Sequence, residues 1–134
     1  MRSTAQPMET FVKCKTVFIV EDDSSIRETL QQVIEYLGFK VVTANNGQEG
    51  LEKLATIERP CLILLDLMMP VMDGWQFLQA KREQDIITTI PVVIVSAYFH
   101  ARNNQLPEGV KSIIKKPVNI DMLIEQVTEY CKND

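Results

Sequence analysis

Five short apolar runs punctuate this chain: Thr16–Val20, Val41–Ala44, Cys61–Leu65, Val92–Val95 and Ser112–Lys115. Each is bounded by turn or charged residues, the pattern of a strand buried on both faces in a parallel sheet. Between the runs, apolar residues recur at helical spacing. Ser25-Ile-Arg-Glu28 has the form of a capping box, and Ile26, Leu30, Val33, Ile34 and Leu37 follow it until Gly38 stops the helix. Asn46-Gly-Gln-Glu49 resembles a second helix start, with Leu51, Leu54 and Ala55 as its stripe before Arg59-Pro60. A third helix is predicted from Asp73 or Gly74, carrying Trp75, Phe77 and Leu78. Asn119 is placed to cap a last helix with Ile120, Leu123, Ile124, Val127, Tyr130 and Cys131 on one face.

Strand and helix thus alternate five times. That order predicts an α/β fold, a parallel sheet with helices on both faces and right-handed crossovers. Residues 1–15 lack periodicity, contain Pro7, and read as a flexible N-terminal arm; 16–134 read as one domain, with no second domain expected. Tyr98 to Gly109 holds Asn103-Asn104, Pro107 and Gly109, so any helix there is expected to be short.

Composition narrows the function classes. At 134 residues the chain is long enough for a proper core, and 46% apolar with 24% charged residues is ordinary for a soluble domain. A net charge of -4 argues against direct nucleic-acid binding. No stretch reaches the ~20 apolar residues that span a bilayer, and the N-terminus lacks the apolar core of a secretory signal. Cys14, Cys61 and Cys131 show no metal or redox spacing. They read as reduced thiols of a cytoplasmic protein, with Cys131 near the surface. His100, the only histidine, lies in a polar loop and reads as surface.

The candidate chemistry sits at the strand ends. In open α/β sheets ligands gather past the carboxyl ends of the strands. The first strand ends in Glu21 and Asp22, the third in Asp66, the fourth in Ser96 and the fifth in Lys116. Singly, each has an ordinary reading: a solvated helix N-terminus, a strand-end turn, a surface lysine. If the sheet brings them together, three carboxylates need a cation, and hard oxygen ligands suit Mg2+. An aspartate carboxylate is a nucleophile toward phosphorus. Asp66 would then attack, Lys116 would balance charge on the phosphoryl oxygens, and Ser96 would donate a hydroxyl to one of them. No glycine-rich phosphate cradle is present, which argues against tight nucleotide binding. Met68, Met69 and Met72 read singly as loop packing.

Over Thr16 to Cys131 the chain resembles the receiver domains of two-component response regulators. Val20-Glu-Asp-Asp23 looks like the family's acidic pair. Leu65-Asp-Leu-Met-Met-Pro70 with Met72-Asp-Gly74 looks like its phosphoacceptor loop. Ser96-Ala97 and Lys116-Pro117 match its later steps. The resemblance implies a flavodoxin-like (βα)5 three-layer sandwich with a five-stranded parallel sheet in the order 2-1-3-4-5. It implies a receiver domain over 16–134, with Asp66 as phosphoacceptor. It also implies Mg2+ held by Asp22, Asp66 and the Met68 carbonyl, with Glu21 acting through water and Asp23 as the fallback ligand. The implied partners are a sensor histidine kinase or histidine phosphotransfer protein and a downstream effector protein. One departure stands out: the family's usual aromatic residue three before the lysine is Ile113 here.

The leading reading is a single-domain receiver in a phosphorelay, which assists its own phosphorylation and dephosphorylation but turns over no free substrate. A receiver-fold module that binds a protein without phosphorylation is the alternative. An aspartate-nucleophile phosphatase is the third, against which stands Met68 where those enzymes resemble Asp-x-Asp.

Overall fold

Along each strand, alternate side chains point to opposite faces, so an all-apolar strand feeds two cores at once. The computed structural model describes residues 15–84, 89–97 and 106–131. Its strands are β1 (Thr16–Val20), β2 (Lys40–Ala44), β3 (Leu62–Leu65), β4 (Val92–Ser96) and β5 (Val110–Lys115). The described helices are α1 (Ser24–Tyr36), α2 (Gly47–Leu54), α3 (Gly74–Glu83) and α4 (Ile120–Tyr130). All neighbouring strands pair in parallel, in the order β2-β1-β3-β4-β5. The flavodoxin-like α/β expectation and its strand order therefore hold. The expected flexible arm, apart from Lys15, and the segment from Tyr98 to Gln105 lie outside the described residues.

Phe18, Val20, Ile63, Leu65 and Ile94 point to one face and pack with Leu54 of α2 and Phe77 and Leu78 of α3. Val17, Ile19, Leu62, Leu64 and Val95 point to the other, against Leu30 and Ile34 of α1 and Leu123 and Val127 of α4. Burying a Leu, Ile or Phe side chain contributes roughly 1.5–3 kcal/mol. These two layers hold the sheet rigid beneath its loops.

The helix starts follow their capping residues, with one correction. Asn46, Asp73 and Asn119 each accept a backbone N–H three residues on, as the sequence predicts. Asp73 and Gln76 complete a capping box. At α1, however, the cap is Asp23, whose carboxylate accepts from Ile26 N at 3.0 Å, and not Ser25. Asp23 has extended backbone while Ser24 and Ser25 are already helical. Gly38 ends α1 at φ +101°, where its N–H donates to Glu35 O at 2.9 Å.

The cysteines also differ from expectation. Cys131 is buried, 3% exposed, and joined to Cys61 in a disulfide with the Cα atoms 5.5 Å apart. They are 70 residues apart in sequence. Cys61 precedes β3, and α4 runs back antiparallel to the strands, so its end arrives where β3 begins. Among the described residues no helix is long and apolar enough to cross a membrane.

Candidate functional site

The carboxyl ends of β1, β3, β4 and β5 lie side by side because the order places β1, β3, β4 and β5 next to one another. Backbone bonds fix the edge: Asp66 N donates to Val20 O at 3.0 Å, and Lys116 N to Ser96 O at 3.1 Å. Each strand thereby sets the starting point of its neighbour's loop.

Glu21 and Asp66 are buried, 1% and 3% exposed, while Asp22 is exposed. One carboxylate oxygen from each of the three lies within 4.8 Å of the others. The Lys116 ammonium reaches this group, 3.1 Å from Glu21 Oε1 and 3.5 Å from Asp66 Oδ1. The lysine precedes Pro117 across a cis peptide bond. Glu21, Asp22, Asp23, Ile26, Asp66, Met68, Ala97 and Lys116 line a cleft of about 270 Å3.

The electrostatics follow from this crowding. Burial pushes the Glu21 carboxyl up to about 7, the charge of Asp66 pushes the same way, and Lys116 partly offsets both. Asp66 is also raised, chiefly by burial, against the pull of Lys116 and a bond from Met68 N to its Oδ1 at 3.3 Å. Glu21 Oε1 is buried without a hydrogen bond of good geometry despite its ion pair. Three converging carboxylates, one with an oxygen so placed, form a donor set that fits a hard divalent cation.

Each residue singled out in the sequence has a definite place. Glu21, Asp22, Asp66 and Lys116 come together. Asp23 borders the cleft, but its carboxylate is engaged as the cap of α1. Ser96 is buried at the end of β4, and its neighbour Ala97 lines the cleft. Met68 stands two residues beyond Asp66 and is 66% exposed. Ile113 pairs with Ile94 across β5 and β4 and packs against the core shared with α2 and α3.

Sequence reasoning missed Arg27. Its guanidinium donates to the carbonyl oxygens of Glu21 at 3.0 Å and Asp22 at 3.4 Å, and so clamps the acidic loop from the first turns of α1. An arginine a turn into a helix after an acidic loop was the only signal. Two glycines are fixed by proximity. A Cβ on Gly74 would meet the Asp66 carbonyl oxygen at 2.5 Å, and one on Gly47 would meet the Met72 carbonyl oxygen at 2.7 Å.

Residues 17–128 match the model of the response regulator receiver domain. The chain belongs to the response regulator receiver family. This receiver is 30% identical over 118 residues to the polar-differentiation response regulator DivK of Brucella anthropi, covering 87% of this chain and 95% of that one. It is 30% identical over 122 residues to the transcriptional regulatory protein CrdR of Helicobacter pylori, covering 90% of this chain but spanning only 56% of the relative. Among solved structures, the Francisella response regulator 1452 receiver domain superposes with a TM-score of 0.77 at 31% identity, covering 87% of this chain and 96% of that one. The chemotaxis protein CheY4 of Vibrio cholerae gives 0.77 at 28% identity, with 87% and 98% covered.

Proposed function

We propose that this receiver accepts a phosphoryl group on Asp66 from a phosphohistidine donor and signals by changing its interaction surface. The observation that carries the reading is the placement of Asp66. Its carboxylate is buried at the floor of the cleft, within ion-pair reach of Lys116 and beside two further carboxylates. In the transfer, an Asp66 oxygen bonds to phosphorus as the phosphorus–nitrogen bond of the donor breaks and the imidazole leaves. Lys116 faces the charge that develops on the phosphoryl oxygens, and Ser96 supplies a hydroxyl at the neighbouring strand end.

Asp22 and Asp66, with the Met68 carbonyl, would hold Mg2+, and Glu21 would act through water. Bound there, Mg2+ neutralises charge on the carboxylates and on the incoming phosphoryl group. The donor is a sensor histidine kinase or a histidine phosphotransfer protein, and the receiver of the signal is an effector protein in the cytoplasm. The chain assists its own phosphorylation and loss of phosphate but turns over no free substrate. The near-complete coverage of DivK, itself a response regulator, supports a single-domain regulator.

The test is incubation with acetyl phosphate and Mg2+, followed by separation of the labile phosphoprotein. Phosphorylation of the parent, lost in Asp66→Asn and on chelation, is expected. Undiminished phosphorylation of Asp66→Asn would remove the assignment.

A further inference from the structure

At the sheet edge opposite the acidic cleft, Cys61 and Cys131 face each other with Cα atoms 5.5 Å apart, within the separation a disulfide spans. Cys61 enters β3, the strand that ends in Asp66. Cys131 closes α4, the last described helix. We propose that this pair is a reversible dithiol–disulfide site, whose reaction partner is a thiol/disulfide couple of the glutathione class.

Three observations carry this. First, the two residues differ in access: Cys131 is buried, whereas Cys61 is half-buried, which favours Cys61 as the point of attack for an incoming thiolate. Second, both redox states leave the groups satisfied. As a thiol, Cys61 has an acceptor in place, the Thr16 carbonyl oxygen 3.4 Å from its sulfur. As a thiol, Cys131 remains a small apolar side chain among Val127, Leu123 and Leu62. Third, α4 does not depend on the bond for its position. Leu123 and Val127 are fully buried on the sheet, and the Lys15 ammonium donates to the Cys131 carbonyl at the helix end. Opening the bond therefore releases a tether without undocking the helix.

The exchange balances in two steps. A thiolate of the reductant attacks the Cys61 sulfur, the sulfur–sulfur bond breaks, and Cys131 leaves as a thiolate that takes a proton. A second reductant thiolate attacks the reductant's own sulfur in the mixed disulfide and releases Cys61, which is protonated in turn. Two thiols of the couple become one disulfide, and the protein disulfide becomes two thiols; oxidation runs the same steps backward. That the site cycles in the cell rests on the cytoplasmic reading above, since lasting disulfides are rare there and those found are mostly transient or redox-sensing. Formation of the bond rests on the geometry alone.

The experiment equilibrates the folded full chain with glutathione buffers from fully reduced to fully oxidised, then counts titratable thiols and maps any bridged peptide. Three thiols under reducing conditions are expected, and under oxidising conditions a Cys61–Cys131 bridge with Cys14 unbridged, as a thiol or a glutathione adduct, the change being reversed by reduced glutathione. Closing a loop of this length predicts a melting temperature higher by on the order of 10 °C in the oxidised form. That redox-dependent difference is expected to vanish in Cys61→Ser and in Cys131→Ala, the latter keeping the helix end apolar. Three thiols at every buffer ratio, a bridge that maps to Cys14, a bond that reduced glutathione cannot open, or a melting difference that survives in either variant would each overturn the proposal. The thiol count on the parent decides even if a variant fails to fold. Phosphorylation of Asp66 is no part of the readout, so failure here and failure of the proposed function are distinguishable.

Discussion

Gly74 lies so close to Asp66 that a single added carbon on its Cα would come within 2.5 Å of the Asp66 carbonyl oxygen. The same carbon would be 2.8 Å from Leu67 Cα, so backbone and not a flexible side chain stands in the way. The start of α3 and the acceptor loop are thus one packed unit. Gly74→Ala is expected to push that loop out of place. It should cost about 1–3 kcal/mol of stability, as overpacking does, and slow phosphorylation of Asp66. A denaturant titration beside a phosphorylation time course checks both; unchanged values in both would show that the loop yields freely.

Asp22 and Asp23 should separate by function. Asp23→Ala removes the cap of α1 and is expected to lower stability by ~1 kcal/mol, with Mg2+ affinity nearly kept. Asp22→Ala is expected to do the reverse and remove most Mg2+ binding. Trp75 borders the neighbouring cleft with Asp22 and Met68, and its fluorescence offers the titration signal. The opposite pattern would move the ligand to Asp23.

Stability of the metal-free protein should fall as pH rises from about 4.5 to about 7. Glu21 is raised from 4.5 to about 7 by burial and by Asp66. In that window the folded state holds a proton that the unfolded chain has released, so raising pH favours unfolding. The raised Asp66 acts in the same direction. Over the window the Glu21 contribution is on the order of 3 kcal/mol. Glu21→Gln should flatten the profile and be the more stable protein at pH 8. Denaturation midpoints between pH 5 and 8 provide the check, and a parent that gains stability across this range would contradict the argument.

Val71 adopts φ +68° and is 79% exposed. A β-branched residue there is strained by roughly 1–2 kcal/mol, and exposure means little packing is gained in return. Val71→Asn is expected to raise stability by up to ~1 kcal/mol, because Asn tolerates the left-handed region. A lowered urea midpoint would show that the valine side chain has a partner on the protein.

Met68 is expected to lengthen the lifetime of a phosphorylated state. Its thioether is a poor acceptor and cannot orient a water in line with the Asp66–phosphorus bond. Met68→Asn places an amide there and is expected to speed loss of phosphate by up to about tenfold, equivalent to ~1.4 kcal/mol in the barrier. First-order decay after removal of the donor measures it. Unchanged or slower loss in the variant would remove the shielding role. Tyr98, two residues past Ser96, lies outside the described residues.

Much of this was legible because the sheet is buried on both faces. A strand with water on neither side must be apolar throughout, and four strands ending in charged or hydroxylic residues announce a shared edge. The caps at Asn46, Asp73 and Asn119 were legible too, each just ahead of an apolar stripe. At α1 the run Asp22-Asp23-Ser24-Ser25 offers several good caps, and only the backbone path chooses Asp23. The Cys61–Cys131 bond was hidden because no local pattern links residues 70 apart; it depends on where α4 ends relative to β3. Lys81 is a subtler case. It lies four residues after Phe77 and three after Leu78, on the buried side of α3, and burial pushes it down to about 8. A lysine reads as solvated, although its position in the stripe already placed it inside.

The contact between Gly47 and Met72 has a directional consequence. The Gly47 N–H donates to the Met72 carbonyl at 2.9 Å, and the Gly74 N–H to Leu67 O at 3.0 Å. The acceptor loop is therefore bolted at both ends to the α2–α3 side of the sheet, by glycines that leave no slack. A charge added at Asp66 would meet close backbone packing on that flank. Its push is therefore expected across the cleft, at Ser96, which ends β4, and Ala97. The receiver is in this sense a one-way lever, with its fulcrum under the acidic loop and its free arm on the β4 side.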